Sequence, residues 1–286
     1  MRFVVLVMVL VFAGGCDWHW ENWPWEPLPT AGSAGGDAGR DDDDGVAPTM
    51  HFVEVRILSV EVPVGVASRS EKLWSYLDEE RAQAVRDATM AQNGIRLGVA
   101  PPGVWLDLQK VLQEMTGRKL VETKSLVPSG TPLIVTLKTD QGWQNMSTIF
   151  SDRTASVRDY PPGDNVLVLI CSPSEMDYSK LVVWGVPQIR SKEKYARPQN
   201  VPGVGPTLVY ESDFFTLDAC TFQLMMASGE ILVAGPGAES RRRLSVGRHF
   251  LVHQKDGLEC ETILVIVPTI RKIPVQSGRT IRALAN

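Results

Sequence analysis

The stretch Phe52-Val-Glu-Val-Arg-Ile-Leu-Ser-Val-Glu-Val62 decides the fold class of this chain. Its apolar residues are mostly β-branched, they largely alternate with polar ones, and the run ends at Gly65. This pattern predicts a long β-strand, and the density of apolar residues indicates an inner position in a sheet. We therefore expect the folded part of the chain to begin at about residue 51.

Two amphipathic helices are predicted directly after this strand. The spacing of Ser68 and Glu71 is that of a capping box, and an apolar repeat at helical period predicts one helix of about six turns over 70–93. After a short strand at 95–99, a second apolar repeat predicts another helix over 104–116. The chain therefore begins as strand, helix, strand, helix.

The rest of the chain has no helical period and predicts strands. The expected strands lie at 119–126, 133–137, 166–171, 181–186, 207–210, 214–226, 230–234, 248–253 and 261–267. We expect long loops at 152–165 and 190–206, the second because of its prolines and glycines. The predicted fold class is α+β, a mostly antiparallel β body with two amphipathic helices near its N-terminal side.

The N-terminus predicts a secretory signal over 1–15. An apolar run from Phe3 to Ala13 is about 16 Å long as a helix, which is too short for a membrane core of about 30 Å. The following residues, Ala13-Gly-Gly-Cys16, resemble the lipobox of bacterial lipoproteins, in which a cysteine is acylated after signal cleavage. The resemblance implies a palmitate-bearing membrane anchor at Cys16. The alternative is a plain secretory signal in which Cys16 has no role.

We expect residues 16–49 to form a disordered tether. Four tryptophans, Trp18, Trp20, Trp23 and Trp25, follow the anchor, and indoles favour the headgroup layer of a membrane. A partner-binding or merely solvated segment is the alternative. The rest of the tether is rich in Pro, Gly and Ala and contains Asp41-Asp-Asp-Asp44, so it cannot bury enough surface to fold.

The folded part is predicted over 51–273, with a C-terminal tail at 274–286. The charge of −4 is uneven, because residues 1–50 hold eight acidic and two basic residues. The body therefore carries about +2, which argues against a nucleic-acid partner. Four histidines and four cysteines in the whole chain argue against a metal centre, and no cofactor is expected.

The search for catalytic groups finds no convergent set, so we expect no enzyme. On one strand, His249 and His253 would lie about 13 Å apart, too far to share a metal. The run Asp78-Glu-Glu80 predicts a solvated helix face. The run Arg241-Arg-Arg243 predicts a hairpin tip, which is either solvated or in contact with lipid phosphate or an acidic partner.

Three cysteines, Cys171, Cys220 and Cys260, remain in the body. In an oxidising compartment they allow at most one disulfide within the chain. Free buried cysteines are the alternative, because all three flank predicted strands.

Two terminal segments resemble the C-terminal domain of secretins, the ring-forming outer-membrane proteins of bacterial secretion and pilus systems. The opening strand at 52–62 looks like the first strand of that domain. The series Gly229-Glu-Ile-Leu-Val-Ala-Gly235, Leu244-Ser-Val-Gly247 with Phe250, and Thr262-Ile-Leu-Val-Ile-Val-Pro268 is similar to its closing motifs. The resemblance implies an envelope β-domain, oligomeric rather than catalytic. It also predicts that the strands at 52–62 and 261–267 share one sheet.

These observations predict a lipid-anchored bacterial envelope protein, facing the periplasm or the exterior, with a structural or assembly role. Its expected partners are the membrane, through the lipid anchor, and either further copies of the chain or another envelope protein. The alternative is a secreted or periplasmic module that binds peptide or glycan through exposed aromatics such as Trp143 or Trp184, without catalysis. A hydrolase is the third interpretation.

Overall fold

The computed structural model describes residues 49–83, 89–201 and 205–274. The predicted signal at 1–15 and residues 275–286 lie outside the described residues, as does the tether up to residue 48. The lipidation residue Cys16 and the four tryptophans Trp18, Trp20, Trp23 and Trp25 therefore lie outside them too.

The described part of the chain contains thirteen strands and five α-helices. The strands are β1 (Thr49–Pro63), β2 (Ile95–Ala100), β3 (Glu122–Pro128), β4 (Pro132–Gln141), β5 (Gln144–Ile149), β6 (Ala155–Tyr160), β7 (Gly163–Pro173), β8 (Lys180–Val201), β9 (Gly205–Thr216), β10 (Phe222–Ala227), β11 (Ile231–Pro236), β12 (Val252–Lys255) and β13 (Leu258–Pro274). The helices are α1 (Glu71–Trp74), α2 (Glu79–Gln83), α3 (Thr89–Gln92), α4 (Trp105–Thr116) and α5 (Val246–Leu251). The fold class is α+β with mostly antiparallel strands, as predicted.

The first sheet, sheet A, has the strand order β2-β11-β13-β1-β3, and β12 also pairs with β13. Its central neighbours β1 and β13 contain the two segments, 52–62 and 261–267, that were predicted to share a sheet. That prediction is confirmed. Both strands have apolar side chains on either face, which is the pattern of strands that are covered on both sides.

The second sheet, sheet B, is antiparallel and has the order β4-β7-β8-β10, and β9 pairs with β8 as well. The pair β5 and β6 forms a separate two-stranded sheet. One face of sheet A packs against sheet B around Val55, Leu167, Leu181 and Ile266. Its other face is covered by α1 and α4.

The helix predicted over 70–93 is wrong in extent. Helix α1 ends at Trp74, and Asp78 then forms a two-way backbone bridge with Val99, with N···O distances of 2.8 and 3.1 Å. The backbone of Asp78 thus extends sheet A beside β2, and a continuous helix would have to give up this bridge. The second predicted helix is confirmed as α4, which Gly117 ends with a left-handed φ of 61°.

Three predictions in the second half of the chain are also wrong. The predicted loops at 152–165 and 190–206 contain β6, the start of β7, about half of β8 and the first two residues of β9. The strand predicted at 214–226 is interrupted by a 3₁₀ turn at Asp218–Cys220. Arg241 ends another 3₁₀ turn, Ala238–Arg241, so the three arginines lie between β11 and α5 and not on a hairpin tip.

The strand predicted at 248–253 is instead helix α5 followed by β12. The hydroxyl of Ser245 accepts a hydrogen bond from the Arg248 backbone N–H at 3.3 Å and so caps the helix start. The Lys138 ammonium donates to the carbonyls of Arg248 and Val252 at its end. Local caps from elsewhere in the fold therefore override the strand propensity of the sequence.

Candidate functional site: a protruding β-ribbon

Strand β8 is the longest strand described, with 22 residues, and it extends beyond the sheet that contains it. Strand β7 pairs with it only as far as Ser191. From Lys194 to Val201 it pairs with β9 alone, in a register that joins Lys194 to Ser212 and Val201 to Gly205. We call residues 192–201 and 205–214 the ribbon. At about 3.3 Å per residue, it extends about 30 Å past sheet B.

One face of the ribbon is apolar and exposed. Cross-strand partners in an antiparallel pair lie on the same face, so Ala196 and Tyr210 share a face with Pro198 and Leu208. Leu208 is 61% exposed and Tyr210 65%, and Phe214, which has the same alternation along β9, is 50% exposed. These side chains form one row of exposed apolar surface along β9.

The opposite face of the ribbon is polar. Arg197 forms an ion pair with Asp213, and the Tyr195 hydroxyl donates to the Glu193 carboxylate. Glu211 lies beside Tyr195 in register. The ribbon is therefore partly amphipathic. Its ion pair and side-chain hydrogen bond lie on one face together with Val209, and its largest exposed apolar side chains lie on the other together with Lys194 and Ser212.

Both edges of the ribbon are open. Within residues 49–83, 89–201 and 205–274, no strand pairs with β8 beyond Ser191 on the β7 side, and β9 pairs only with β8. Such edges present unpaired backbone N–H and C=O groups that another strand can complete. Pro198 and Pro206 fit this position, because proline is tolerated where the backbone donor faces away from a partner.

The ribbon joins sheet B at Arg190, whose side chain is half-buried. Its Nε is buried without a hydrogen-bond acceptor, and burial lowers the pKa of the guanidinium. Arg190 pairs in register with Asp164 of β7 and with Phe214 of β9, yet no ion pair joins it to a described carboxylate. Burial also raises the pKa of Asp164. An unmatched cation therefore lies at the base of the apolar face.

The histidines predicted to be structural lie on different elements. His249 is in α5, and burial lowers its pKa to about 4. His253 is in β12, with its Nε2 3.2 Å from the carboxylate of Glu61. The described residues contain no group of three His, Cys, Asp or Glu side chains arranged to hold a metal ion.

The acidic run at 78–80 is more than a solvated face. Glu79 accepts two hydrogen bonds from the Arg96 guanidinium, at 2.5 and 2.6 Å, and Asp78 accepts from the Arg81 backbone N–H at 2.9 Å. Glu79 therefore fixes α2 to β2, and the Asp78 carboxylate caps the start of α2.

The three cysteines of the body are free thiols. Cys171 and Cys220 are buried, and burial raises the pKa of each to about 12. Cys260 is partly exposed. The interpretation of free buried cysteines therefore holds for two of the three positions.

The sequence predicted no site at the ribbon, although it holds a signal for one. Leu208, Tyr210 and Phe214 alternate with Thr207, Glu211 and Asp213, which is the period of a half-exposed strand. The strands predicted at 207–210 and 214–226 contain these side chains, but the loop predicted at 190–206 left them without the partner strand that completes the ribbon.

No family model and no curated protein matches the chain. The solved structures that resemble it are secretins, and the resemblance is weak. The secretin domain of InvG from the Salmonella SPI-1 injectisome has 7% identity and a TM-score of 0.18, with 83% of this chain and 65% of that chain covered. The type II secretion secretin GspD of E. coli K12 has 10% identity and a TM-score of 0.20, with 83% and 51% covered.

A third solved structure, the type IV competence pilus secretin PilQ of V. cholerae, has 10% identity and a TM-score of 0.19, with 80% of this chain and 58% of that chain covered. The chain thus spans between about half and two thirds of the length of these proteins. Separately, no helix in the part of the chain that the structure describes is both long and apolar enough to cross a membrane.

Proposed function

We propose that this chain is a lipid-anchored envelope protein with a structural or assembly role, and that copies of it associate through the ribbon. The observation that carries the proposal is an amphipathic ribbon with two open edges and the exposed side chains of Leu208, Tyr210 and Phe214. The proposal assigns the chain no catalytic activity. The envelope location and the anchor rest on the sequence, namely the apolar run that ends at Cys16.

The ribbon favours a head-to-tail association. Its two edges differ, because β8 contributes one and β9 the other, so β9 of one copy can pair with β8 of the next and keep the antiparallel alternation. Repetition of such a heterologous contact gives a closed ring if the rotation closes.

The apolar face provides the driving force for this association. Leu208, Tyr210 and Phe214 together expose about 300 Å² of side chain, and covering it stabilises the complex by roughly 7 kcal/mol before the cost of association. Completed backbone pairing adds to this and fixes the register.

The test compares two neighbouring substitutions on opposite faces of β9. Leu208→Asp places a charge on the apolar face, and Thr207→Asp places the same charge on the polar face. We expect the full chain in detergent to form oligomers by mass photometry, Leu208→Asp to be monomeric, and Thr207→Asp to remain oligomeric. A wild-type chain that is monomeric at micromolar concentration refutes self-association, and equal loss in both variants refutes the role of the apolar face.

The anchor is tested separately by palmitate labelling. Wild type is expected to incorporate label, and Cys16→Ser is expected to incorporate none, because serine lacks the thiol to which the lipid is attached. Equal labelling of the two chains would show that Cys16 is not the acylated residue.

A second candidate function, a module that binds peptide or glycan, is favoured by one observation. Trp143 is 75% exposed in the turn between β4 and β5, whereas Trp184 is half-buried on β8. An exposed indole is a common platform for sugar rings and peptide side chains. Binding on a glycan or peptide array that Trp143→Ala abolishes, with oligomerisation unchanged, would favour this second function.

A further inference from the structure

The chain has an aspartate or an asparagine directly before a glycine at three places, namely Asp44-Gly45, Asn93-Gly94 and Asp256-Gly257. At such a pair the glycine nitrogen can attack the carbonyl carbon of the preceding side chain, because glycine has no Cβ that obstructs the approach. In an unstructured peptide Asn-Gly reacts faster than Asp-Gly, because an amide loses ammonia more readily than an ionised carboxylate loses water. The first pair lies outside the described residues, and the structure places the other two in opposite environments.

The Asn93-Gly94 pair is buried and hydrogen-bonded. Asn93 is 1% exposed, and its side-chain amide donates to the carbonyls of Thr89 and Ile149 and accepts from the Ile149 N–H, each at 2.8 Å. The attacking nitrogen is also engaged, since the Gly94 N–H donates to the Ala91 carbonyl at 3.0 Å. Reaction at this pair requires these bonds to open, and three side-chain hydrogen bonds of ordinary strength slow it by about a hundredfold.

The Asp256-Gly257 pair forms the turn between β12 and β13, where Lys255 pairs with Leu258. Both turn residues are exposed and left-handed, with φ of 52° and 80°. A Cβ at Gly257 would meet no atom within 4 Å, and no described residue forms a hydrogen bond or an ion pair with the Asp256 carboxylate. Turn tips of this kind open locally at little cost in free energy, so the carboxyl group and the glycine nitrogen can meet.

We propose that Asp256-Gly257 is a site of spontaneous isoaspartate formation and that the fold protects Asn93-Gly94, which inverts the intrinsic order of reactivity of the two pairs. The Gly257 nitrogen bonds to Cγ of Asp256 in its protonated form, and the amide hydrogen and the carboxyl hydroxyl leave together as water. Water then opens the cyclic imide at either carbonyl, which returns aspartate or gives isoaspartate. No other reactant takes part.

The modification changes the backbone at a contact between β12 and β1. Isoaspartate adds one methylene group to the main chain of a turn that has only two residues. That turn fixes the pairing of β12 with β13. Strand β12 contacts Glu61 of β1 through Lys255 and through His253, whose Nε2 lies 3.2 Å from the Glu61 carboxylate. Isoaspartate at this position is therefore expected to weaken the contacts of Glu61.

The test incubates the full chain at neutral pH, once folded and once in urea, and then maps both pairs. Digestion of the unfolded samples with endoproteinase Asp-N reports Asp256, because the protease cuts before aspartate and not before isoaspartate. Conversion of Asn93 is followed by the mass gained when an amide becomes an acid. Asp256→Ser removes the reacting carboxyl group, so methylation of this variant by an isoaspartyl methyltransferase measures what arises elsewhere in the chain. Asp256→Asn places the more reactive pair in the same turn.

We expect Asp256 to convert in the folded chain at a rate within about threefold of that in urea, since the turn opens locally. Asn93 is expected to convert about a hundredfold more slowly in the folded chain than in urea. In folded Asp256→Asn, the new asparagine should convert faster than Asp256 does in wild type, while Asn93 stays intact. The proposal is overturned if Asp256 stays intact in the folded chain but converts in urea, or if Asn93 converts equally fast in both states.

Discussion

Replacement of Glu261 by glutamine is expected to destabilise the fold by about 2 kcal/mol. Glu261 lies on β13 and is only 2% exposed. Its Oε2 accepts from the backbone N–H groups of Ala67 and Ser68 at 2.9 and 3.0 Å, and its Oε1 accepts from the Ser68 hydroxyl at 2.7 Å. This carboxylate therefore holds the segment that connects β1 to α1.

The magnitude follows from the charge of the acceptor. Hydrogen bonds to a charged group contribute roughly 1.5–3 kcal/mol each, compared with about 1 kcal/mol for neutral ones. An amide of the same shape keeps part of the bonding but loses the charge assistance at three donors. The same segment also positions α1, because the Trp74 indole N–H donates to the Ala67 carbonyl at 3.0 Å. Ser68→Ala, which removes one of these charge-assisted hydrogen bonds, is expected to cost roughly 1.5–3 kcal/mol.

Urea unfolding of the full chain, followed by far-UV circular dichroism, measures these differences. With a slope of about 2 kcal/mol per molar, Glu261→Gln should lower the midpoint by about 1 M. The control is Glu259→Gln, since Glu259 pairs with Arg248 at the surface and such pairs contribute at most about 1 kcal/mol. No described Lys or Arg pairs with Glu261, so its hydrogen bonds alone offset the cost of burying the charge. A urea midpoint for Glu261→Gln equal to or above that of wild type would show that this cost is as large as the stabilisation by the hydrogen bonds.

Three further predictions concern packing, thiols and a buried lysine. Gly247→Ala should destabilise by about 3 kcal/mol in a thermal melt, because its Cβ would lie 1.9 Å from the Gly94 carbonyl oxygen, whereas Gly103→Ala, with open space around it, should not. In a Cys16→Ser chain at pH 8, a thiol reagent should modify Cys260 quickly and Cys171 and Cys220 only after unfolding, since burial raises the pKa of both to about 12; fast reaction of all three would contradict this. Burial lowers the pKa of Lys138 to about 8, so the unfolded chain binds more protons than the folded chain between pH 8 and 10.5. The free energy of unfolding of wild type, measured relative to Lys138→Met, should therefore rise over that pH range. A difference that does not change with pH would show that Lys138 is not buried as described.

The parts of the fold that the sequence predicts correctly are those whose apolar pattern is strong and local. Strands β1 and β13 are dense in apolar residues, and each places side chains in both layers of the core, such as Val55 and Val60 on β1. Helix α4 has one apolar face and a glycine directly after its last residue. In these elements the local propensity and the tertiary environment favour the same structure.

The incorrect predictions arise where a distant contact decides the local structure. The interruption at Asp78 depends on Val99, and α5 depends on the ammonium group of Lys138, 110 residues away from Arg248. Neither contact can be inferred from the sequence around the residues that form it. Strand β5 was not predicted from the sequence either, and its Ser147 forms an isolated bridge with Ser245, almost 100 residues away.

The ribbon is the element that the other described residues stabilise least. This lack of stabilising contacts supports a role in assembly. An isolated two-stranded hairpin is at best marginally stable in water, and fixing each backbone residue costs roughly 1–2 kcal/mol. Sheet A repays that cost by burying both faces, and sheet B buries the face around Leu181 and Ile189. The ribbon buries neither of its faces and leaves both of its edges open, yet Leu208, Tyr210 and Phe214 expose large apolar side chains on one face. A partner that covers the ribbon is the simplest source of the stabilising free energy that the ribbon lacks within one chain. The ribbon of a second copy supplies both a strand edge for pairing and an apolar surface for burial.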